Sequence, residues 1–140
     1  MDTLTQRIDQ AIEIKAALGS TFQAMLERLG PKNEGMGPMP MVLEPWPGGR
    51  WFRDLGNGAG HLWAHVQVYK PPTLLELCGP MFMSYPVASH MALRLAEIPG
   101  GTRLSLTHRI LGEMDPDHAA GVHTGWKHTL EGVKAHAEHH

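Results

Sequence analysis

The chain has no second cysteine. Cys78 stands alone among 140 residues, so no internal disulfide can form. A reducing, cytoplasmic setting is therefore the default expectation. No charge excess stands out either: 12 Lys and Arg face 14 Asp and Glu, a formal balance of -2. Without a basic stripe, a nucleic-acid partner is not expected. No apolar run approaches the roughly 20 residues of a membrane span, so none is expected here. Met1 to Gln10 is polar and charged, unlike a secretory signal. The length fits one domain, taken as residues 1–138, with His139 and His140 read as a tag remnant. Such a domain buries about two-thirds of its unfolded surface, enough for a sizeable core.

Several catalytic and metal signatures are also missing. There is no His-Glu-x-x-His, no cysteine pair and no Gly-x-Ser-x-Gly. Ten histidines invite a metal hypothesis, but their spacing opposes it. His61 and His65 share a strand face about 13 Å apart, with Trp63 between them. His118, His123 and His128 recur every five residues, about 140° apart round a helix. No metal and no cofactor are expected. Cys78 has no neighbouring charge pattern that lowers its pKa, so it reads as a small residue at a strand end.

What is present is mostly alternation. Ile8, Gln10, Ile12 and Ile14 alternate with Asp9, Ala11, Glu13 and Lys15, which predicts a half-buried strand. Ser20 to Gln23 reads as a capping box, and Phe22, Met25, Leu26 and Leu29 then trace one helical face, ended by Gly30-Pro31. Asn33 to Pro40 is expected to be a loop. Short strands follow at Met41–Pro45 and Arg50–Leu55, with a turn at Gly56-Asn57-Gly58. In the next strand Leu62, Ala64, Val66 and Val68 form one face; His61, Trp63, His65, Gln67 and Tyr69 form the other. Leu74 to Cys78 is a further strand. Met91, Leu93 and Leu95 alternate in the next, and Gly100-Gly101 turns it into one where Leu104, Leu106, His108 and Ile110 point one way. Asp115 or Asp117 opens a final helix, with Pro116 in its first turn. Val122, Trp126, Leu130, Val133 and Ala137 form its apolar stripe, with Lys127 facing away. That stripe must be buried, and the concave face of the sheet is the available partner.

This order resembles the helix-grip fold of the START-like superfamily, also called Bet v 1-like or SRPBCC. Within it the chain is similar to the family of the C-terminal domain of the activator of Hsp90 ATPase. Four stretches carry the resemblance: Gly48-Gly49-Arg50-Trp51; Val66 to Leu75 with Pro71-Pro72; Gly101-Thr102-Arg103-Leu104-Ser105-Leu106-Thr107-His108; and Gly125-Trp126 with Leu130. The third is the most specific. The chain departs from the group at His61, Trp63 and His65, and in the loop from Met36 to Met41.

The resemblance implies an α+β fold, a curved antiparallel sheet of six to seven strands around a long C-terminal helix. It also implies an internal cavity that binds small apolar molecules, although relatives include polyketide cyclases. The expected lining is Val66, Leu77, Met91, Leu93, Leu106, His108, Val122 and Trp126. The expected partner is a small apolar or aromatic ligand, and a homodimer is allowed. His108 lies on an otherwise apolar face, as a satisfied core histidine or as a group addressing a ligand. Glu76 is a candidate polar partner in the cavity, while Arg94 alternates outward. Met36, Met39, Met41, Met81 and Met83 fall in loops, where they fill gaps or border the cavity mouth. No catalytic residue is assigned. A cyclase or dehydratase using His108 as acid or base is the alternative. A chaperone-associated module ranks last, because Hsp90 activators carry an additional N-terminal domain.

Overall fold

A computed structural model describes residues 5–34, 39–81 and 86–139, without the side chain of Pro116. Its elements run β1 (Thr5–Ile14), α1 (Leu18–Leu29), β2 (Val42–Leu43), β3 (Arg50–Gly56), β4 (Ala59–Lys70), β5 (Leu74–Gly79), β6 (Val87–Ile98), β7 (Gly101–Gly112) and α2 (Pro116–Glu138). The seven strands form one antiparallel sheet in the order β1-β7-β6-β5-β4-β3-β2. The α+β helix-grip architecture is thus as expected, with the sheet at seven strands.

Period-two patterning explains β6 and β7. Met91, Leu93 and Leu95 are buried opposite His108, Leu106 and Leu104, so both strands turn the same face to the core. On β1, Ile8 and Ile14 join that face. The hairpin between β3 and β4 turns through Gly56, Asn57 and Gly58, all at positive φ, where two glycines avoid the Cβ penalty.

Helix α2 lays Val122, Trp126, Leu130, Val133 and Ala137 into the core and leaves Lys127 exposed. Asp115 is its N-cap, accepting from the Asp117 amide at 2.8 Å. Polar ties hold both halves of the helix. The C-terminal half is tied by Lys134 Nζ donating to the Glu13 carbonyl (3.1 Å), by the Lys15 amide donating to Glu138 (2.8 Å), and by His136 against Glu27 (2.6 Å). The N-terminal half is tied by Gln10 donating to the His123 carbonyl (2.7 Å) and by the indole of Trp126.

Three local expectations need correction. Helix α1 begins at Leu18, with Ala17 as its N-cap and no side-chain cap, so Ser20–Gln23 is not a capping box. Starting earlier lets Leu18 pack against the core. The strand expected at Met41–Pro45 is only Val42–Leu43. In β4 the simple alternation fails twice. Trp51 pairs with Ala64 and Phe52 with Leu62, so Trp63 is an extra residue opposite β3. Val66 pairs with Leu77 and Val68 with Glu76, so Gln67 is extra opposite β5. Each bulge shifts the facing of the residues after it. Trp63 is consequently 8% exposed and Leu62 48% exposed, the reverse of the alternation reading. Tyr69 likewise turns inward, its ring 5.9 Å from that of Phe22.

Candidate functional site

The eight residues expected to line a cavity meet in the packed core, and neither of the two pockets found among the described residues is lined by any of them. Val66, Leu77, Met91, Leu93, Leu106, His108, Val122 and Trp126 are buried between the sheet and α2. Aromatic side chains continue the cluster. Trp51 lies edge-on to Trp63 at 5.0 Å and stacked on Trp126 at 6.4 Å, and its indole N–H donates to the Leu29 carbonyl at 2.7 Å. Trp51 and Trp63 were not among the expected lining residues. Trp51 was legible only as part of the Gly48-Gly49-Arg50-Trp51 stretch; Trp63 needed the bulge.

His108 is the chemical centre of this face and is 0% exposed. Trp126 Nε1 donates to its Nδ1 at 2.8 Å. An indole nitrogen only donates, so Nδ1 must be the bare acceptor and the ring proton sits on Nε2. Burial away from water pushes the imidazole down from 6.5 to about 4, so the ring is neutral at pH 7. The T-shaped contact of the two rings, 5.7 Å between centroids, fixes the orientation. Among the described residues Nε2 has no hydrogen-bond partner. Its cross-strand neighbours are Met91 and Ile8, neither of which offers a good acceptor. The face thus presents one oriented N–H donor in apolar surroundings. A ring so depressed is poorly suited to exchanging protons near pH 7.

The other candidates are placed elsewhere. Glu76 is not in the interior: it pairs on the outer face with His90 (2.8 Å) and lies 4.0 Å from Arg94. Cys78 is exposed. His61, His65, His123 and His128 are exposed too. Among the described residues no group of three or more His, Cys, Asp or Glu could hold a metal ion. Met41 and Met81 are buried and Met39 packs against the core. Met36 and Met83 lie outside the described residues. A surface groove of about 640 Å³ is lined mainly by outward-pointing residues, including Arg7, Cys78, His90 and Arg109. Ser89 and Ile110 also border it; His108 does not. No described helix is long and apolar enough to cross a membrane.

A sheet wrapped on a long terminal helix, with a buried aromatic and histidine cluster between them, defines a helix-grip protein. The model of the family described as Activator of Hsp90 ATPase homolog 1-like protein matches residues 13–138, and the chain belongs to that family. Solved structures agree on the fold. A protein from Mesorhizobium loti superimposes with a TM-score of 0.71 at 16% identity, covering 94% of this chain and 96% of that one. The Aha1 dimer from Colwellia psychrerythraea gives 0.68 at 18% identity, covering 95% and 96%. The di-domain ARO/CYC StfQ from the steffimycin biosynthetic pathway gives 0.70 at 12% identity, over 98% of this chain but 52% of that one. No curated protein matches by sequence.

Proposed function

We propose that this chain binds a small, neutral, apolar or aromatic molecule between the concave face of its sheet and α2. The observation that carries this is the unpartnered Nε2–H of His108, held in one tautomer by Trp126. A buried donor without an acceptor costs about 1–3 kcal/mol. A ligand carbonyl or hydroxyl recovers that cost, while the surrounding indoles and aliphatic chains supply apolar burial. We place the entry route at the N-terminal half of α2. That half contains Gly121 and Gly125, which weaken a helix interior, and it contributes Val122 and Trp126 to the core.

Binding is favoured over a cyclase or dehydratase reaction by the same residue. General acid–base catalysis works best with a pKa near the working pH, and His108 is depressed to about 4. The ARO/CYC relatives keep the enzymatic reading as the alternative. A chaperone-associated role rests on the family description alone. A cytoplasmic location is carried forward from the single cysteine. The dimeric relative from Colwellia supports a homodimer, which sedimentation equilibrium tests.

The test of the site is titration with N-phenyl-1-naphthylamine, read by energy transfer from tryptophan. Saturable binding is expected, with transfer reduced but not lost in Trp126→Phe, because Trp51 lies beside it. Absence of saturable binding, or energy transfer unchanged in Trp126→Phe, sinks the proposal.

A further inference from the structure

Among the described residues three buried side-chain polar atoms lack a hydrogen-bond partner: Arg28 Nε, Ser89 Oγ and His108 Nε2. Arg28 lies apart, its guanidinium against Gly132 between the two helices. The other two share the concave face of the sheet. His108 on β7 pairs with Met91 on β6, and Ser89 is two residues before Met91 on the same strand. Both side chains therefore point inward as diagonal neighbours, about 7 Å apart.

Neither can be satisfied by its flanking strands. Ser89 stands between Gly79, which has no side chain, and Ile110. His108 stands between Ile8 and Met91. Ser89 is 3% exposed at the border of the surface groove, with its hydroxyl oxygen itself buried. Two orphaned polar atoms on one apolar wall each carry the desolvation cost of an unmade bond. The inward residues from Ser89 to Leu95 and from Thr102 to Ile110 include no Asp, Glu, Lys or Arg. The wall is neutral, and a charged ligand would lose its hydration without a counter-charge.

We infer that the molecule bound here is a neutral compound bearing two oxygen functions on one apolar or aromatic frame, a carbonyl-type acceptor for His108 Nε2–H and a hydroxyl for Ser89 Oγ. The inference rests on the binding site proposed above. It narrows the ligand from any apolar molecule to hydroxy-ketones and their kin. His108 can only donate through Nε2, so that oxygen must accept. Ser89 can donate or accept, so it tolerates a phenol or an alcohol. The spacing requires the two oxygens at separate positions of the frame rather than on adjacent carbons.

Three probes of similar size separate the contributions: tetralin, 1-tetralone and 6-hydroxy-1-tetralone, titrated calorimetrically into the full chain. The dissociation constant is expected to fall roughly three- to tenfold at each added oxygen, the gain of one neutral hydrogen bond. Ser89→Ala should erase the second gain and keep the first. His108→Leu should erase the first. Equal affinity of the wild type for all three overturns the two-oxygen inference and leaves the binding site standing. Failure of all three to bind overturns both. Where His108→Leu does not fold, nitrogen NMR of the wild-type imidazole decides. The Nε2–H resonance should move with 1-tetralone and not with tetralin; a resonance indifferent to the ketone overturns the inference.

Discussion

The indole N–H of Trp126 points at Nδ1 of His108 across 2.8 Å, joining α2 to the centre of the sheet. This one bond sets the tautomer of the imidazole, turns its remaining proton toward the apolar interior and ties the N-terminal half of the helix to β7. Trp126→Phe removes the donor while keeping most of the ring. The fold should survive, with both imidazole nitrogens left unpaired at a cost of about 2 kcal/mol. Urea unfolding measures the loss. Nitrogen NMR should show the Nδ1-protonated tautomer appearing; a tautomer unchanged in the variant contradicts the role given to Trp126.

Acidification should unfold the protein partly through His108. Its folded pKa lies below its unfolded value, near 4 against 6.5. As pH falls through 6.5 the unfolded chain takes up a proton that the folded chain refuses. The contribution is therefore complete above pH 6.5 and is lost progressively down to about pH 4, amounting to at most about 3 kcal/mol. The stability of His108→Phe should be flatter than wild type across that window. Parallel pH profiles in the two proteins would show that His108 is not the titrating group.

Trp63 and Leu62 are adjacent and opposite in fate. Trp63→Ala should cost about 3–5 kcal/mol, because a large buried ring is deleted from the bulge. Leu62→Ala should change stability by no more than about 0.5 kcal/mol. Chemical denaturation of both variants tests the bulge directly. The reverse ranking would restore simple alternation through β4.

Asp115 caps the first turn of α2, next to the half of the helix that borders the proposed binding site. Asp115→Ala should cost about 1 kcal/mol. The effect should be local, raising amide exchange over 117–126 more than over 127–137, where ties to β1 and α1 persist. Uniform acceleration along the helix would argue against a local effect of the cap.

Much of the frame was legible in local patterning. The alternation of Met91, Leu93 and Leu95, and of Leu104, Leu106, His108 and Ile110, is a direct consequence of side chains alternating along a strand. The stripe from Val122 to Ala137 follows from 3.6 residues per turn. Those periods are properties of the backbone, so the residues alone determined that a sheet face and a helix face must meet, and that His108 lies between them. Ser89 was legible by the same rule, two residues before Met91, but a lone serine at a strand end carried no signal of being unpaired. That depends on Gly79 and Ile110 flanking it, residues distant in sequence and brought together by strand order. The bulges at Trp63 and Gln67 are likewise set by the register of β3 and β5 against β4, which no window of β4 contains. The bond from Trp126 to His108 spans 18 residues and two elements. Outside the bulged β4, local sequence determined which side chains face inward, because facing is a backbone period. Tertiary structure alone decided which of those inward groups find partners, because a hydrogen bond depends on what packs beside it.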